Sequence, residues 1–114
     1  MKNIPDWTKE FPSAITICNA EGTIIYMNEK SCNTFNKYGG KNLIGKSIFD
    51  CHPEPAKTKL KELMKIQKSN IYTIEKEGIK KLIYQSPFYE NKTFAGFVEI
   101  SIELPLLINN FIRV

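Results

Sequence analysis

The chain has 114 residues, a net charge of +4 and an apolar content of 42%. This length fits one domain, and the composition is that of a globular protein rather than a disordered one. No apolar run approaches the ~20 residues of a membrane-spanning helix, and the first residues lack the apolar core of a signal peptide. We therefore expect a cytoplasmic protein with no membrane partner.

Three cysteines occur, Cys18, Cys32 and Cys51, with no regular spacing. An odd, unpatterned set does not indicate a disulfide framework, and reduced cysteines usually pack as small hydrophobic residues. Cys51 is next to the single histidine, His52. A structural zinc site needs four ligands at recognisable spacing, so we expect no metal site.

Four lysines, Lys57, Lys61, Lys65 and Lys68, recur at helical spacing. Their charge would suit phosphates, but no aromatic residue is interleaved to stack on bases. We interpret them as a solvated helix face and expect no nucleic-acid partner.

In chain order, the first elements are a short helix capped by Asp6 and ending at Pro12, then strands over residues 14–18 and 23–27. The turn between the strands contains Gly22, which predicts a hairpin. Asn28 is a predicted N-cap for a helix over residues 29–37, and a turn-rich helical segment is expected over residues 42–50.

The clearest helix begins after Pro55 and ends near Ser69. One face carries residues at helical spacing, namely Ala56, Leu60, Leu63, Met64 and Gln67. Strands over residues 71–76, 79–89 and 94–103 follow, joined by hairpin-length turns. The pattern predicts an α+β domain, with one antiparallel sheet and helices on one face.

These elements resemble the PAS family over residues 11–103. Four segments carry the resemblance: the hairpin at 19–28 with its Gly turn and closing Asn, the hydrophobic-Gly-basic step at 43–49, the His-Pro-acidic step at 51–54, and the last strand with its Gly at 94–100. The resemblance implies a five-stranded sheet in the order 2-1-5-4-3, with short helices and one longer helix on one face. It places the domain at residues 13–103, a cap segment at 1–12, and an apolar tail or the start of a signalling helix at 104–114.

The family's frequent Asp-hydrophobic-Thr ending is replaced here by Ser101-Ile102-Glu103. The resemblance implies a sensory or regulatory module in signal transduction, including transcription regulation. Such a module binds a small molecule between sheet and helices and relays through a homodimer or a signalling partner. The alternative is a ligand-free dimerisation or docking scaffold. Because the chain has no Gly-x-Ser-x-Gly elbow and no phosphate loop, we predict no catalytic residues and no enzymatic activity.

Strand alternation and the family register suggest which residues face a pocket. Gln85 is the expected polar group among mostly apolar neighbours. The full set of pocket candidates is Thr16, Cys18, Phe35, Leu60, Met64, Ile83, Gln85 and Val98. The same residues also suit a filled core, so both interpretations stay open.

The resemblance leaves the cofactor unknown. Some PAS sensors hold haem through a histidine in this region, which makes His52 a candidate haem ligand. The alternative is that His-Pro-acidic is ordinary helix-start chemistry. The resemblance argues against flavin photochemistry through a cysteine adduct, because the position that holds the reactive cysteine in blue-light PAS relatives is Ile48 here. Flavin bound without an adduct, or no cofactor at all, stays open.

The two ends of the chain are apolar. Trp7 and Phe11 precede the domain, and Leu104, Leu107, Ile108, Phe111 and Ile112 follow it at helical spacing. Exposed apolar patches mark association sites. We expect a homodimer or partner interface of Trp7, Phe11, Ile15, Ile17, Leu107 and Phe111, with docking of both ends on their own chain as the alternative.

Overall fold

The computed structural model describes residues 4–114. The predicted cap segment therefore begins with three residues that lie outside the described range. The strands are β1 (Ala14–Asn19), β2 (Ile24–Met27), β3 (Asn70–Lys76), β4 (Ile79–Glu90) and β5 (Thr93–Glu103). The helices are α1 (Glu29–Thr34) and α2 (Ala56–Ile66), with single 3-10 turns at Asp6–Thr8, Asn36–Tyr38, Gly40–Leu43 and Ile48–Cys51.

The five strands form one antiparallel sheet in the order β2-β1-β5-β4-β3, which confirms the predicted fold. Cross-strand partners share a face of the sheet. Thr16, Glu99 and Gln85 are paired across β1, β5 and β4, and Thr16 contacts Ser31 of α1 through their hydroxyls at 2.5 Å. This is the inner face of the sheet, toward the helices.

The prediction that Val98 faces the helices is wrong. Val98 pairs with Ile17 on β1 and with Ser86 on β4, so all three lie on the outer face. Successive strand residues alternate between the two faces of the sheet, so Glu99, and not Val98, faces the helices.

The N-terminal helix is shorter than predicted. It is one 3-10 turn whose N-cap is Pro5, not Asp6. The Thr8 hydroxyl donates to the Pro5 carbonyl oxygen at 2.8 Å and lies 2.6 Å from the Tyr26 hydroxyl. These bonds fasten the turn beside β2.

The N-cap of α1 is Asn28, as predicted, and its side chain accepts from the Ser31 amide. Leu60, Leu63 and Met64 of α2 are buried against the inner face. Ala56 and Gln67, which have the same helical spacing, are both exposed. Gln67 ends the helix with a left-handed φ of 56°, and Ala56 lies in the first turn above an open part of the sheet.

Ile15 and Ile17 are only 8% and 6% exposed, so the prediction that they form an interface is wrong for this chain as folded. Trp7 and Phe11 are 64% and 40% exposed and pack edge to face on each other.

The described tail, residues 104–114, contains no helix, and its last bond to the sheet is from the Leu104 amide to the Lys80 carbonyl at 2.8 Å. The exposed apolar side chains beyond it are Leu106, Leu107, Ile108, Phe111, Ile112 and Val114. Within residues 4–114, neither helix is long and apolar enough to cross a membrane.

Candidate functional site

The space enclosed between the helices and the sheet is almost filled. A small void of about 10 Å³ remains there. That is the room of about one water molecule. Its lining is Thr16, Ile24, Met27, Phe35, Leu43, Ile48, Cys51, His52 and Glu99.

A larger, open groove of about 460 Å³ lies beside this void. Its volume is within the ~300–1,000 Å³ of small-molecule sites. It runs between the first turn of α2 and the inner face of β3 and β4. The lining residues are His52, Pro55, Ala56, Lys59, Leu60, Asn70, Tyr72 and Gln85. The helix leaves this part of the sheet uncovered, and Tyr72 on the edge strand is 38% exposed.

His52 is the one residue that lines both the void and the groove. Its Nδ1 lies 2.9 Å from the Ile48 carbonyl oxygen. A carbonyl oxygen only accepts, so Nδ1 carries the proton and Nε2 of the neutral ring is an acceptor. Nε2 lies 4.0 Å from Oε1 of Glu99.

Three polar side chains form a directed chain across β3, β4 and β5. Asn70 donates through Nδ2 to Oε1 of Gln85 at 3.2 Å, and Gln85 donates through Nε2 to Oε1 of Glu99 at 2.8 Å. Gln85 is only 4% exposed. The two bonds orient its amide, with oxygen toward Asn70 and nitrogen toward Glu99.

The thiols of Cys18 and Cys51 and the hydroxyl of Tyr72 near Glu99 are neutral at physiological pH. Burial, and to a lesser degree the Glu99 charge, raises the pKa of the Tyr72 hydroxyl. Burial is also the main cause that raises the pKa of the Cys18 and Cys51 thiols, with smaller additions from Glu99 and, for Cys51, Asp50. The region therefore combines one carboxylate with uncharged thiol and phenol groups.

The predicted pocket residues are divided among four places, one of which is the outer face of the sheet, where Val98 lies. Thr16 and Phe35 line the small void, and Leu60 and Gln85 line the groove. Cys18, Met64 and Ile83 are buried.

Sequence reasoning missed Asn70, Tyr72 and Glu99. Tyr72 and Glu99 alternate with neighbours on the opposite face, so strand alternation marks them once one inward residue on each strand is known. That starting point, the register of β3 and β5 against Gln85, comes only from the folded sheet.

Another open hollow, of about 590 Å³, lies at the edge of β2. The N-terminal turn, α1 and the Gly39-Gly40 turns surround it, and its lining includes Lys9, Tyr26 and Lys41. It lies away from the Asn70–Gln85–Glu99 chain.

The residues around His52 fit haem poorly. The Nδ1 bond to a backbone carbonyl is what metal-bound histidines commonly have. However, the Glu99 carboxylate lies 4.0 Å from Nε2, and the void that His52 and Glu99 line together is only about 10 Å³. An iron at Nε2, about 2 Å from the nitrogen, would need Glu99 to move. Among residues 4–114, no cluster of three or more His, Cys, Asp or Glu side chains is placed to hold a metal ion.

The sheet order and the one-sided helices define an α+β domain of the predicted architecture. Consistently, the family model described as PAS domain matches residues 12–101. The chain therefore belongs to the PAS domain family. Members of this family are typically sensory, generally non-catalytic modules of histidine kinases and receptors. A search of curated proteins found no match.

Solved structures with the same fold include the PAS domain of the histidine kinase ThkA, with a TM-score of 0.64, 21% identity, and coverage of 79% of this chain and 97% of that one. For the PAS domain of BvgS from Bordetella pertussis the TM-score is 0.66 and the identity 13%, with coverage of 87% of this chain and 82% of that one. For the Aer2 receptor of Vibrio cholerae, described as a dual PAS-heme oxygen sensor, the TM-score is 0.59 and the identity 14%, with coverage of 82% of this chain and 95% of that one. At these identities the likeness shows the fold alone.

Proposed function

We propose that this chain is a cytoplasmic sensory module without enzymatic activity, and that it binds a small organic molecule in the groove between α2 and the sheet. The supporting observation is the groove of about 460 Å³ with the buried amide of Gln85 at its floor. A mostly apolar lining with a few converging polar groups is typical of small-molecule sites.

Relay to the rest of a signalling system would use the apolar ends. Trp7, Phe11, Leu107 and Phe111 are 40–87% exposed, which favours a contact with a second copy or a signalling partner. A ligand shifts such a contact only if it binds the two conformations with different affinity. Ordering of residues 104–114 on ligand binding would supply that difference.

A groove-filling variant tests the binding proposal. Ala56 is exposed at the groove wall, so Ala56→Trp fills the groove without touching the buried face of α2. A metabolite library screened by thermal shift should give stabilising compounds for the wild type and none of them for the variant. Glu62→Trp, on the same helix outside the groove lining, is the matched control and should behave like the wild type. Equal stabilisation of Ala56→Trp would overturn the proposal.

The absorption spectrum of the purified protein tests the cofactor alternatives. We expect no Soret band, since the surroundings of His52 fit haem poorly. We also expect no flavin band, since the proposed ligand is colourless. A Soret band that His52→Ala abolishes would assign haem, and a flavin band would assign bound flavin without an adduct. Haem or flavin would still be a ligand of the module, but it would replace the colourless organic molecule that we propose.

A docking scaffold without a ligand is the second candidate. The observation that favours it is the small void of about 10 Å³ between helices and sheet, too small for a whole organic ligand. This candidate predicts self-association or partner binding that is identical in the wild type and in Ala56→Trp, with no stabilising compound in the library.

A further inference from the structure

The small void beside the groove is lined by a carboxylate, that of Glu99, without a strong counter-charge. The Glu99 side chain is only 15% exposed, and its contacts are the Gln85 amide and, at 4.0 Å, His52 Nε2. Among residues 4–114, no lysine or arginine nitrogen lies within 4.0 Å of it, whereas Lys30 pairs with Glu103 at 3.0 Å. A carboxylate removed from water is costly unless it is paired and hydrogen-bonded.

The thiols and the phenol packed around Glu99 do not compensate this charge. The Cys18 and Cys51 thiols and the Tyr72 hydroxyl are held neutral, mainly by burial. Lys59 lies on the exposed rim of the groove, where solvent and salt screen its charge.

His52 and Glu99 present two acceptors to each other. Because Nδ1 donates to the Ile48 carbonyl, the neutral ring offers a lone pair at Nε2, and the carboxylate also only accepts. Their separation of 4.0 Å is too long for a direct hydrogen bond even when the ring is protonated. A single nitrogen with two N–H groups can lie about 2.9 Å from both atoms.

We infer that the ligand of this groove carries a protonated amine or amidine head group. One nitrogen of this head group reaches past His52, which lines both spaces, into the small void, where its N–H groups donate to Glu99 and to Nε2 of His52. An apolar body lies in the groove against Tyr72 and the first turn of α2. The inference rests on the proposed function, and it adds the chemical class of the ligand.

Three probes with the same ring separate the head-group classes: benzamidine (cationic donor), benzamide (neutral) and benzoate (anionic). Isothermal titration calorimetry on the wild-type chain should rank benzamidine tightest, by about tenfold or more over benzamide, because a hydrogen bond to a charged group is roughly twice as strong as a neutral one. Benzoate should show no binding.

Glu99→Gln keeps the size of the side chain and removes its charge. The variant should lose the tenfold preference for benzamidine while its affinity for benzamide stays the same. Glu62→Gln removes an exposed carboxylate on α2 outside the groove lining and should keep the preference. Thermal unfolding of each variant shows that it is folded, and the probe ranking needs only the wild type.

The outcomes separate this inference from the proposed function. If benzamide or benzoate binds as tightly as benzamidine, or if library compounds bind in the groove and benzamidine does not, the head-group class is wrong and groove binding stands. If no probe and no library compound binds the wild type in an Ala56→Trp-sensitive way, both fail. An unchanged benzamidine preference in folded Glu99→Gln would overturn the role of Glu99.

Discussion

Asn28 holds the N-terminal turn, β1 and α1 together through one buried side chain. Its oxygen accepts from the Ile15 and Ser31 amides at 2.9 and 3.0 Å, and its nitrogen donates to the Thr8 and Ser13 carbonyls at 3.0 and 2.9 Å. The residue is 1% exposed. Four backbone groups therefore depend on one amide.

Asn28→Ala should lower the free energy of unfolding by about 3 kcal/mol, because it leaves buried backbone groups unpaired and removes a helix cap. Urea denaturation measures the loss. Asn33→Ala, at an exposed position in the same helix, should change stability by less than about 0.5 kcal/mol. Equal effects of the two variants would contradict the role of Asn28.

Cys18 links stability to alkaline pH. The thiol is fully buried, and burial raises its pKa above the ordinary value of 9.0. The unfolded chain then releases this proton more readily than the folded one, so the stabilising contribution is present below about pH 9 and is lost as the pH rises toward the folded pKa.

The free energy of unfolding should therefore fall as pH rises through and above 9, and Cys18→Ala should make this fall shallower. Chemical denaturation at pH 8, 9 and 10 measures both slopes. Cys32→Ala, at a partly exposed thiol, should change the slope less. If wild type and Cys18→Ala lose stability in parallel, burial of this thiol does not set the pH dependence.

The pairing of β5 with β1 requires glycine where the two backbones come closest. Gly96 has a φ of 153° and faces Asn19. A Cβ there would overlap the Cys18 carbonyl oxygen and lie 2.9 Å from the Asn19 Cα, so backbone would have to move.

Gly96→Ala should cost about 3 kcal/mol or more, since an overpacked backbone contact cannot relax by side-chain rotation. Gly45→Ala is the control, because a Cβ there meets no atom within 4 Å and its left-handed φ of 94° costs only about 1–2 kcal/mol. Thermal unfolding compares them. A Gly96→Ala variant as stable as Gly45→Ala would show that β5 shifts freely against β1.

Most element boundaries follow from local signals in the chain. The Gly22 turn, the Asn28 cap, Pro55 before α2 and the Glu77-Gly78 turn each act within a few residues, and the strands and α2 lie close to their predicted ranges. The face of Val98 did not follow, because alternation gives two faces without saying which is inner. The pairing of Glu99 with Thr16 and Gln85 decides that, and it is a long-range property.

The candidate site was predictable only in part. Gln85, Leu60 and His52 were named from the chain, and they line the groove. The open groove itself arises because α2 lies over one part of the inner face and leaves β3 uncovered, which depends on packing between elements. The burial of Ile15 and Ile17 also depends on packing between elements, so strand alternation alone did not predict it.

At the scale of the whole molecule, the exposed apolar ends should drive self-association. Leu107 and Phe111 are 87% and 71% exposed. Replacing both by serine should shift the protein toward monomer in sedimentation equilibrium and leave its thermal stability unchanged, because neither side chain is buried in the chain. The same double substitution at Ile71 and Ile79, exposed at 62% and 45%, is the control for loss of apolar surface elsewhere. A wild type that is monomeric at high micromolar concentration would contradict a homodimer.

The most direct test of groove binding is an amide-resolved NMR titration of the wild-type chain with the library compound that stabilises it most. The account predicts that the shifted amides cluster at Ala56, Asn70, Tyr72 and Gln85, and that Ala56→Trp abolishes the shifts. Shifts that cluster instead at the β2 hollow around Lys9 and Lys41, or that persist in Ala56→Trp, would contradict it.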